Sequence, residues 1–92
     1  MPNYVVETYV PSGDATRLSS DVEGIRQAAE RTAAPEGGRV HHVRSYLVPT
    51  DEMGFHIVDA ERREDVERLM AEAGIDIERV VESIGIESRD VT

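Results

Sequence analysis

The sequence contains no cysteine and no lysine among its 92 residues. Without cysteine the chain cannot form a disulfide, a thiolate nucleophile or a thiolate metal site. Without lysine it lacks the amine of Schiff-base enzymes and the lysine of a phosphate-binding loop. No apolar run is long enough to span a bilayer, and the N-terminus lacks the basic start and apolar stretch of a signal peptide. We therefore expect a cytoplasmic protein without a membrane partner.

Positive charge is also scarce, since 10 basic residues, all of them arginine, stand against 19 acidic ones. The net charge of -9 repels phosphate backbones and predicts that the protein does not bind nucleic acid, while it attracts cations. A chain this short buries only about 60 to 65% of the surface that its unfolded form exposes. We expect a single domain over residues 1–92, with association of two copies adding to its small core.

The N-terminal part of the chain predicts a strand followed by a helix. Residues 3–10 alternate in the manner of a strand, and the turn-forming residues 11–14 end it. The capping-box spacing of Ser20 and Glu23 predicts the start of a helix, because apolar residues then recur at helical intervals. This helix is expected to end at a break that consists of Pro35, Gly37 and Gly38.

The central segment, residues 39–60, predicts a β-hairpin. Two alternating stretches flank a Pro-Thr-Asp-Glu turn, and the segment contains all three histidines. After it, residues 62–73 carry apolar side chains at helical spacing, and Gly74 supplies a helix stop. A last strand is predicted over residues 77–86, followed by a frayed polar tail over residues 87–92.

The element order β, α, β, β, α, β predicts a ferredoxin-like α+β fold, in which two helices cover one face of a four-stranded antiparallel sheet. Strand alternation then decides which side chains meet the helices and which lie on the uncovered face. We expect the helix-covered side to receive Tyr4, Val6, Val43, Leu47, Phe55 and Ile57.

The uncovered face is expected to be richer in valine and tyrosine than a solvated face needs to be. Two copies that pack these faces together would bury the apolar groups, so we predict a homodimer. The facing of Glu82 on the last strand is left open. The residues predicted on this face are Val5, Glu7, Tyr9, His42, Arg44, Tyr46, Val48, His56 and Val58.

Two histidines and one glutamate on the predicted face suggest a metal site. His42, His56 and Glu7 offer two nitrogen ligands and one oxygen ligand, a set suited to a divalent transition metal. The competing interpretation is that the histidines are hydrogen-bonded interface residues, which is the commoner case. His41 neighbours His42 and is therefore expected to point to the other side of the strand.

Arg44 has two interpretations. It can pair with Glu7 or Glu82, because a partly buried arginine needs a carboxylate, or it can bind the carboxylate of a ligand. Tyr9 and Tyr46 are expected to pack in the interface with their hydroxyls at its rim. Arg44, Tyr46 and Tyr9 form the predicted set of ligand-binding residues.

Short motifs are spread over nearly the whole chain. They are Tyr-Val-Val-Glu at 4–7, Val-x-x-x-Arg-Ser-Tyr at 40–46, Pro-x-Asp-Glu-x-x-Phe at 49–55, Asp-Ala at 59–60 and Arg-Val-Val-Glu at 79–82. With them the chain resembles a family of small ferredoxin-like proteins that are grouped as a domain of unknown function, some of which are described as nickel-binding. The resemblance implies the ferredoxin-like fold and makes nickel the candidate metal.

We carry two main hypotheses of function. The first is a homodimeric, non-catalytic binding protein that holds a divalent metal ion or a small polar ligand on the uncovered face. The alternative is a small cofactor-free enzyme of the dimeric α+β barrel type, an isomerase or a monooxygenase-like protein, with His56 or Glu7 as general base. A purely structural interaction module is a third possibility. Nucleophilic catalysis is not expected, because strict alternation places Ser45 on the opposite side of its strand from His42.

Overall fold

The computed structural model describes residues 2–31 and 40–86. Its elements are β1 (Asn3–Tyr9), α1 (Ala15–Arg31), β2 (Val40–Val48), β3 (Met53–Ala60), α2 (Arg63–Glu72) and β4 (Arg79–Ser83), with short 3-10 turns at Pro11–Gly13 and Pro49–Asp51. The strands form one antiparallel sheet in the order β2-β3-β1-β4. This architecture confirms the predicted ferredoxin-like fold. The predicted helix break at Pro35, Gly37 and Gly38 and the predicted tail Glu87–Thr92 lie outside the described residues.

The first helix begins earlier than the sequence pattern predicted. Helix α1 starts at Ala15, and the Asp14 carboxylate accepts a hydrogen bond of 2.9 Å from the backbone N–H of Thr16. The backbone carbonyl of Asp14 also accepts the first helical bond, from Leu18. Asp14 is therefore the N-cap, and the predicted start at Ser20 is wrong because that capping-box spacing lies inside the helix.

The second helix and the last strand follow the prediction more closely. Helix α2 ends as predicted before Gly74, whose positive φ of 73° suits a left-handed C-terminal position. Strand β4 is shorter than the predicted residues 77–86. Neither helix in the described part of the chain is long and apolar enough to cross a membrane.

The hydrophobic core lies between the two helices and one side of the sheet, which we call the helix face. A glycine allows α1 to approach this face, because a Cβ on Gly54 would stand 2.7 Å from a methyl carbon of Leu18 and 2.8 Å from the Thr8 hydroxyl. The larger apolar residues of the core cluster are Tyr4, Val6, Ile25, Val58, Val66, Leu69, Met70 and Val80.

The predicted facing of β3 is wrong. His56 and Val58 are fully buried on the helix face, where they pair across the strands with Val6 and Tyr4 of β1. Phe55 and Ile57, predicted in the core, instead lie on the uncovered side. Apolar side chains occur at both alternating positions of this strand, so hydrophobicity did not decide its facing.

Strand β2 contains a β-bulge. His42 pairs with Val58 and Arg44 pairs with Ile57, so Val43 is one extra residue between two adjacent positions of β3. A bulge reverses the side on which the following side chains lie relative to strict alternation. His42 consequently lies on the helix face, whereas Arg44 lies on the uncovered side. Val43, predicted in the core, is 54% exposed.

Candidate functional site

The side of the sheet that the helices do not cover, here called the open face, is built from four rows of side chains. From β2 to β4 the rows are Val48, Met53 and Tyr9; then Tyr46, Phe55, Glu7 and Arg79; then Arg44, Ile57, Val5 and Val81; then His41, Asp59, Asn3 and Ser83. Apolar side chains make up the first row and lie near the centre of the two middle rows, and the last row is entirely polar.

Most charged groups of the open face have partners within the chain. The Arg79 guanidinium donates a hydrogen bond of 2.9 Å to the Glu7 carboxylate, which is only 21% exposed. Asn3 donates a hydrogen bond to the Asp59 carboxylate. The prediction that Arg44 pairs with Glu7 or Glu82 is wrong. Glu7 pairs with Arg79, and Glu82 lies opposite Tyr4 on the helix face.

The three predicted ligand-binding residues lie on the open face, but only two of them lie together. The Arg44 guanidinium donates a hydrogen bond of 3.2 Å to the Tyr46 hydroxyl, and this bond raises the pKa of Arg44. Tyr9 lies on β1, which β3 separates from β2, and its hydroxyl donates to the Glu52 carboxylate at 3.4 Å. Tyr9 and Tyr46 are each 50% exposed. The exposed donor pair is therefore Arg44 with Tyr46.

Three polar side chains, His42, Ser45 and His56, are hydrogen-bonded in series on the helix face, and we call this series the histidine chain. The Ser45 hydroxyl is 2.7 Å from Nε2 of His42 and 2.6 Å from Nδ1 of His56. The prediction that Ser45 and His42 point to opposite sides is wrong, because the bulge at Val43 lies between them. Ser45 and His42 are partly exposed, whereas His56 is fully buried.

Burial governs the chemistry of both imidazoles. Desolvation, together with the nearby His42, lowers the pKa of His56 from 6.5 to about 4. Desolvation also lowers the pKa of His42, with a further contribution from the positive charge of Arg26 on α1. Within the described residues, Nε2 of His56 is buried without a hydrogen-bond partner. Both rings are therefore neutral at pH 7.

The structure does not bring the predicted metal-binding residues together. His42 and His56 share one face, as predicted, but it is the helix face, and Glu7 lies on the open face. Within residues 2–31 and 40–86, no group of three or more histidine, aspartate or glutamate side chains could hold a metal ion. The set Glu7, His42 and His56 does not fit a single ion.

Two groups of functional interest were missed from the sequence. Phe55 and Ile57 belong to the open face, and Ser45 belongs to the histidine chain. One signal for the bulge was present. Val40 and Leu47 are both apolar but lie an odd number of residues apart, so strict alternation cannot place both on the helix face.

The fold is similar to a solved structure of low sequence identity. It matches the crystal structure of SCO4226 from Streptomyces coelicolor A3(2) with a TM-score of 0.75 and 13% identity, over 92% of this chain and 99% of that chain. A structural-genomics structure of the protein YJCS aligns at 14% identity over 94% of this chain and 100% of that chain, with a TM-score of 0.45. No family model and no curated protein matches the chain. The likeness to SCO4226 supports the fold alone.

Proposed function

We propose that the protein is a homodimeric binding protein in which two open faces pack together and hold a small polar ligand beside Arg44 and Tyr46, without catalysis at these faces. The observation that carries the proposal is the apolar centre of the open face, which neither helix covers. It contains Phe55, Ile57 and Val5, and a small domain gains core volume by burying such a surface. The cytoplasmic location stays a prediction from the sequence.

The charge balance of the open face favours binding of a second copy of the chain there. The two carboxylates of the face, Glu7 and Asp59, balance the two guanidiniums, Arg44 and Arg79, so their formal charges sum to zero. The whole chain carries -9. Two copies therefore repel each other least when they approach through their open faces.

The size of the open face also suits a dimer. Four strands at a spacing of about 4.8 Å, each presenting side chains over about 20 Å, give a flat footprint of roughly 400 Å². The accessible surface of interdigitating side chains is larger than the flat footprint, so it approaches the ~800 Å² per partner of a standard interface. Tyr9 and Tyr46 on this face are half-exposed, and protein interfaces are enriched in tyrosine relative to the rest of the surface.

The ligand is expected to be a small anion such as a carboxylate. In the described part of the chain no carboxylate pairs with Arg44, whose recorded partner is the neutral Tyr46 hydroxyl. A cation that becomes buried in an interface needs a counter-charge. The planar guanidinium and the neighbouring phenol offer several donors to one carboxylate.

The other predicted functions receive less support from the geometry. A metal ion is not chosen as the ligand, because Glu7 is separated from His42 and His56 by the sheet itself. The enzyme alternative needed His56 or Glu7 as a general base on the open face. His56 lies on the helix face, and Glu7 is held by Arg79.

Light scattering of two matched variants tests the dimer. Ile57→Asp places an unpaired charge in the proposed interface, at an expected cost of about 2 to 4 kcal/mol per copy. Ile84→Asp makes the same chemical change at a residue that is 87% exposed beyond the end of β4. The parent and Ile84→Asp should be dimers, and Ile57→Asp should be a folded monomer. A parent that is monomeric at about 50 µM would contradict the proposal.

Titration with sodium acetate tests the ligand. In the parent, NMR signals of Arg44 and Tyr46 should shift with acetate, and Arg44→Gln should abolish the shift while the protein stays dimeric. Arg63→Gln is the matched control, because it removes one positive charge from an exposed residue of α2. Equal shifts in the two variants would remove Arg44 from the site.

A further inference from the structure

We propose that Ser45 is an acyl-accepting nucleophile, with His42 as its general base and His56 as a positioning residue. The site lies on the helix face, so it is separate from the open face and independent of the proposed dimer. Its substrate class is a small activated acyl group, such as an ester of a short carboxylic acid. The carrying observation is one hydroxyl held between two imidazole nitrogens, at 2.7 Å and 2.6 Å.

The buried nitrogen of His56 determines which atoms donate and which accept in the histidine chain. Its Nε2 has no partner within the described residues, and a buried N–H without an acceptor is rarer than a buried acceptor without a donor. The proton of neutral His56 therefore resides on Nδ1, which donates to the Ser45 hydroxyl. Ser45 then donates its own proton to Nε2 of His42. This is the arrangement in which a serine is ready to lose its proton to a neighbouring imidazole.

The reactive pair lies at the border of the sheet. Ser45 and His42 are partly exposed and belong to β2, which is one of the two edge strands. The Arg26 guanidinium on α1 is close enough to act on His42. Its positive charge, which an ion pair of 2.8 Å with Glu23 partly offsets, weakens His42 as a base.

The reaction is a balanced acyl transfer. Oγ of Ser45 attacks the carbonyl carbon of the ester, and its proton moves to Nε2 of His42. The bond from the carbonyl carbon to the leaving oxygen then breaks, and the alcohol departs with the proton from His42. The products are an ester of Ser45 and a free alcohol, and no oxidant or reductant is consumed.

Acetylation by p-nitrophenyl acetate tests the proposal. The parent should release nitrophenol in a burst, and the peptide containing Ser45 should gain the mass of one acetyl group. Ser45→Ala should lose both signals. His42→Gln should slow acetylation about 100-fold or more, which is the usual contribution of a general base. His41→Gln is the matched control, because this neighbouring histidine is exposed on the open face.

Two variants of His56 separate positioning from folding. His56→Asn retains an amide N–H near the place of Nδ1 and should recover most of the acetylation rate, whereas His56→Leu removes the donor and should not. Circular dichroism checks that each variant is folded. Light scattering measures the dimer separately, so failure of acetylation and failure of the dimer are distinguishable. A parent without acetyl-Ser45, or an equal rate in His42→Gln and His41→Gln, would overturn the proposal of a nucleophilic Ser45.

Discussion

The two faces of the sheet share the same strands but differ in how their polar groups are satisfied. On the helix face, His56 is fully buried, and within the described residues its imidazole hydrogen-bonds to Ser45 alone. On the open face, the Glu7–Arg79 pair and the Arg44–Tyr46 pair remain accessible to solvent or to a partner. The helix face therefore carries the core of the fold, and the open face is the surface that our proposal assigns to a partner. Neighbouring residues of one strand consequently respond very differently to the same substitution.

The largest expected difference is between Val58→Asp and Ile57→Asp. Val58 is fully buried, and an uncompensated charge there costs about 3 to 5 kcal/mol, which is a large part of the ~5 to 14 kcal/mol expected for a domain of this size. Ile57→Asp should retain the fold and lose only the association. Urea unfolding measures the first effect and light scattering the second. Similar urea midpoints for the two variants would show that the faces are not as different as described.

A smaller effect is expected from acid. His56 has a pKa of about 4 in the folded protein and near 6.5 when unfolded, so below pH 6.5 the unfolded chain binds a proton that the folded chain does not. The contribution of His56 to the free energy of unfolding is therefore at its maximum above pH 6.5. It decreases by roughly 3 kcal/mol as the pH falls to 4. His42 is the titratable neighbour that acts on His56, and the Arg26 guanidinium acts on His42.

Urea unfolding at about pH 7 and about pH 4.5 measures the effect of acid. His56→Leu should lose this part of the acid sensitivity, and His41→Leu, on the exposed open face, should keep it. If both variants lose the same free energy of unfolding between the two pH values, the acid sensitivity comes from the carboxylates of the protein instead.

The smallest expected effect is that of Arg79→Gln. The Arg79 side chain is 68% exposed, and surface ion pairs typically contribute about 0 to 1 kcal/mol. Thermal unfolding of the Ile57→Asp monomer should therefore change little when Arg79 is replaced. A larger loss in the dimeric background would indicate that the Glu7–Arg79 pair becomes buried between two copies.

The fold was predictable because the helix and strand periodicities and their order are strong local signals. The facing of β1 was also predictable, since Tyr4 and Val6 alternate with Glu7 and a proline turn ends the strand. The facing of β3 was not predictable, because Ile57 and Val58 are equally suited to a core. Only the pairing with β1 selects Val58 for the helix face.

The candidate site was predicted in part. Arg44 and Tyr46 were placed correctly on the open face, and His42 and His56 were correctly placed on one face as a pair. The bulge at Val43 made the rest unpredictable from strict alternation, because it brings Ser45 to the side of His42 and moves that histidine away from Arg44. This one-residue irregularity therefore brings together the three residues of the histidine chain, which strict alternation would place on different sides.

The same bulge gives β2 an unusual tolerance to a change in length. Removing one residue from a regular strand turns every later side chain to the wrong side of the sheet. In this chain, deletion of Val43 would instead leave His42 and Arg44 as direct neighbours on opposite faces, as a regular ladder requires. Every other residue of the strand would keep its side. Position 43 is thus a place where the gene can lose a codon without rearranging either surface.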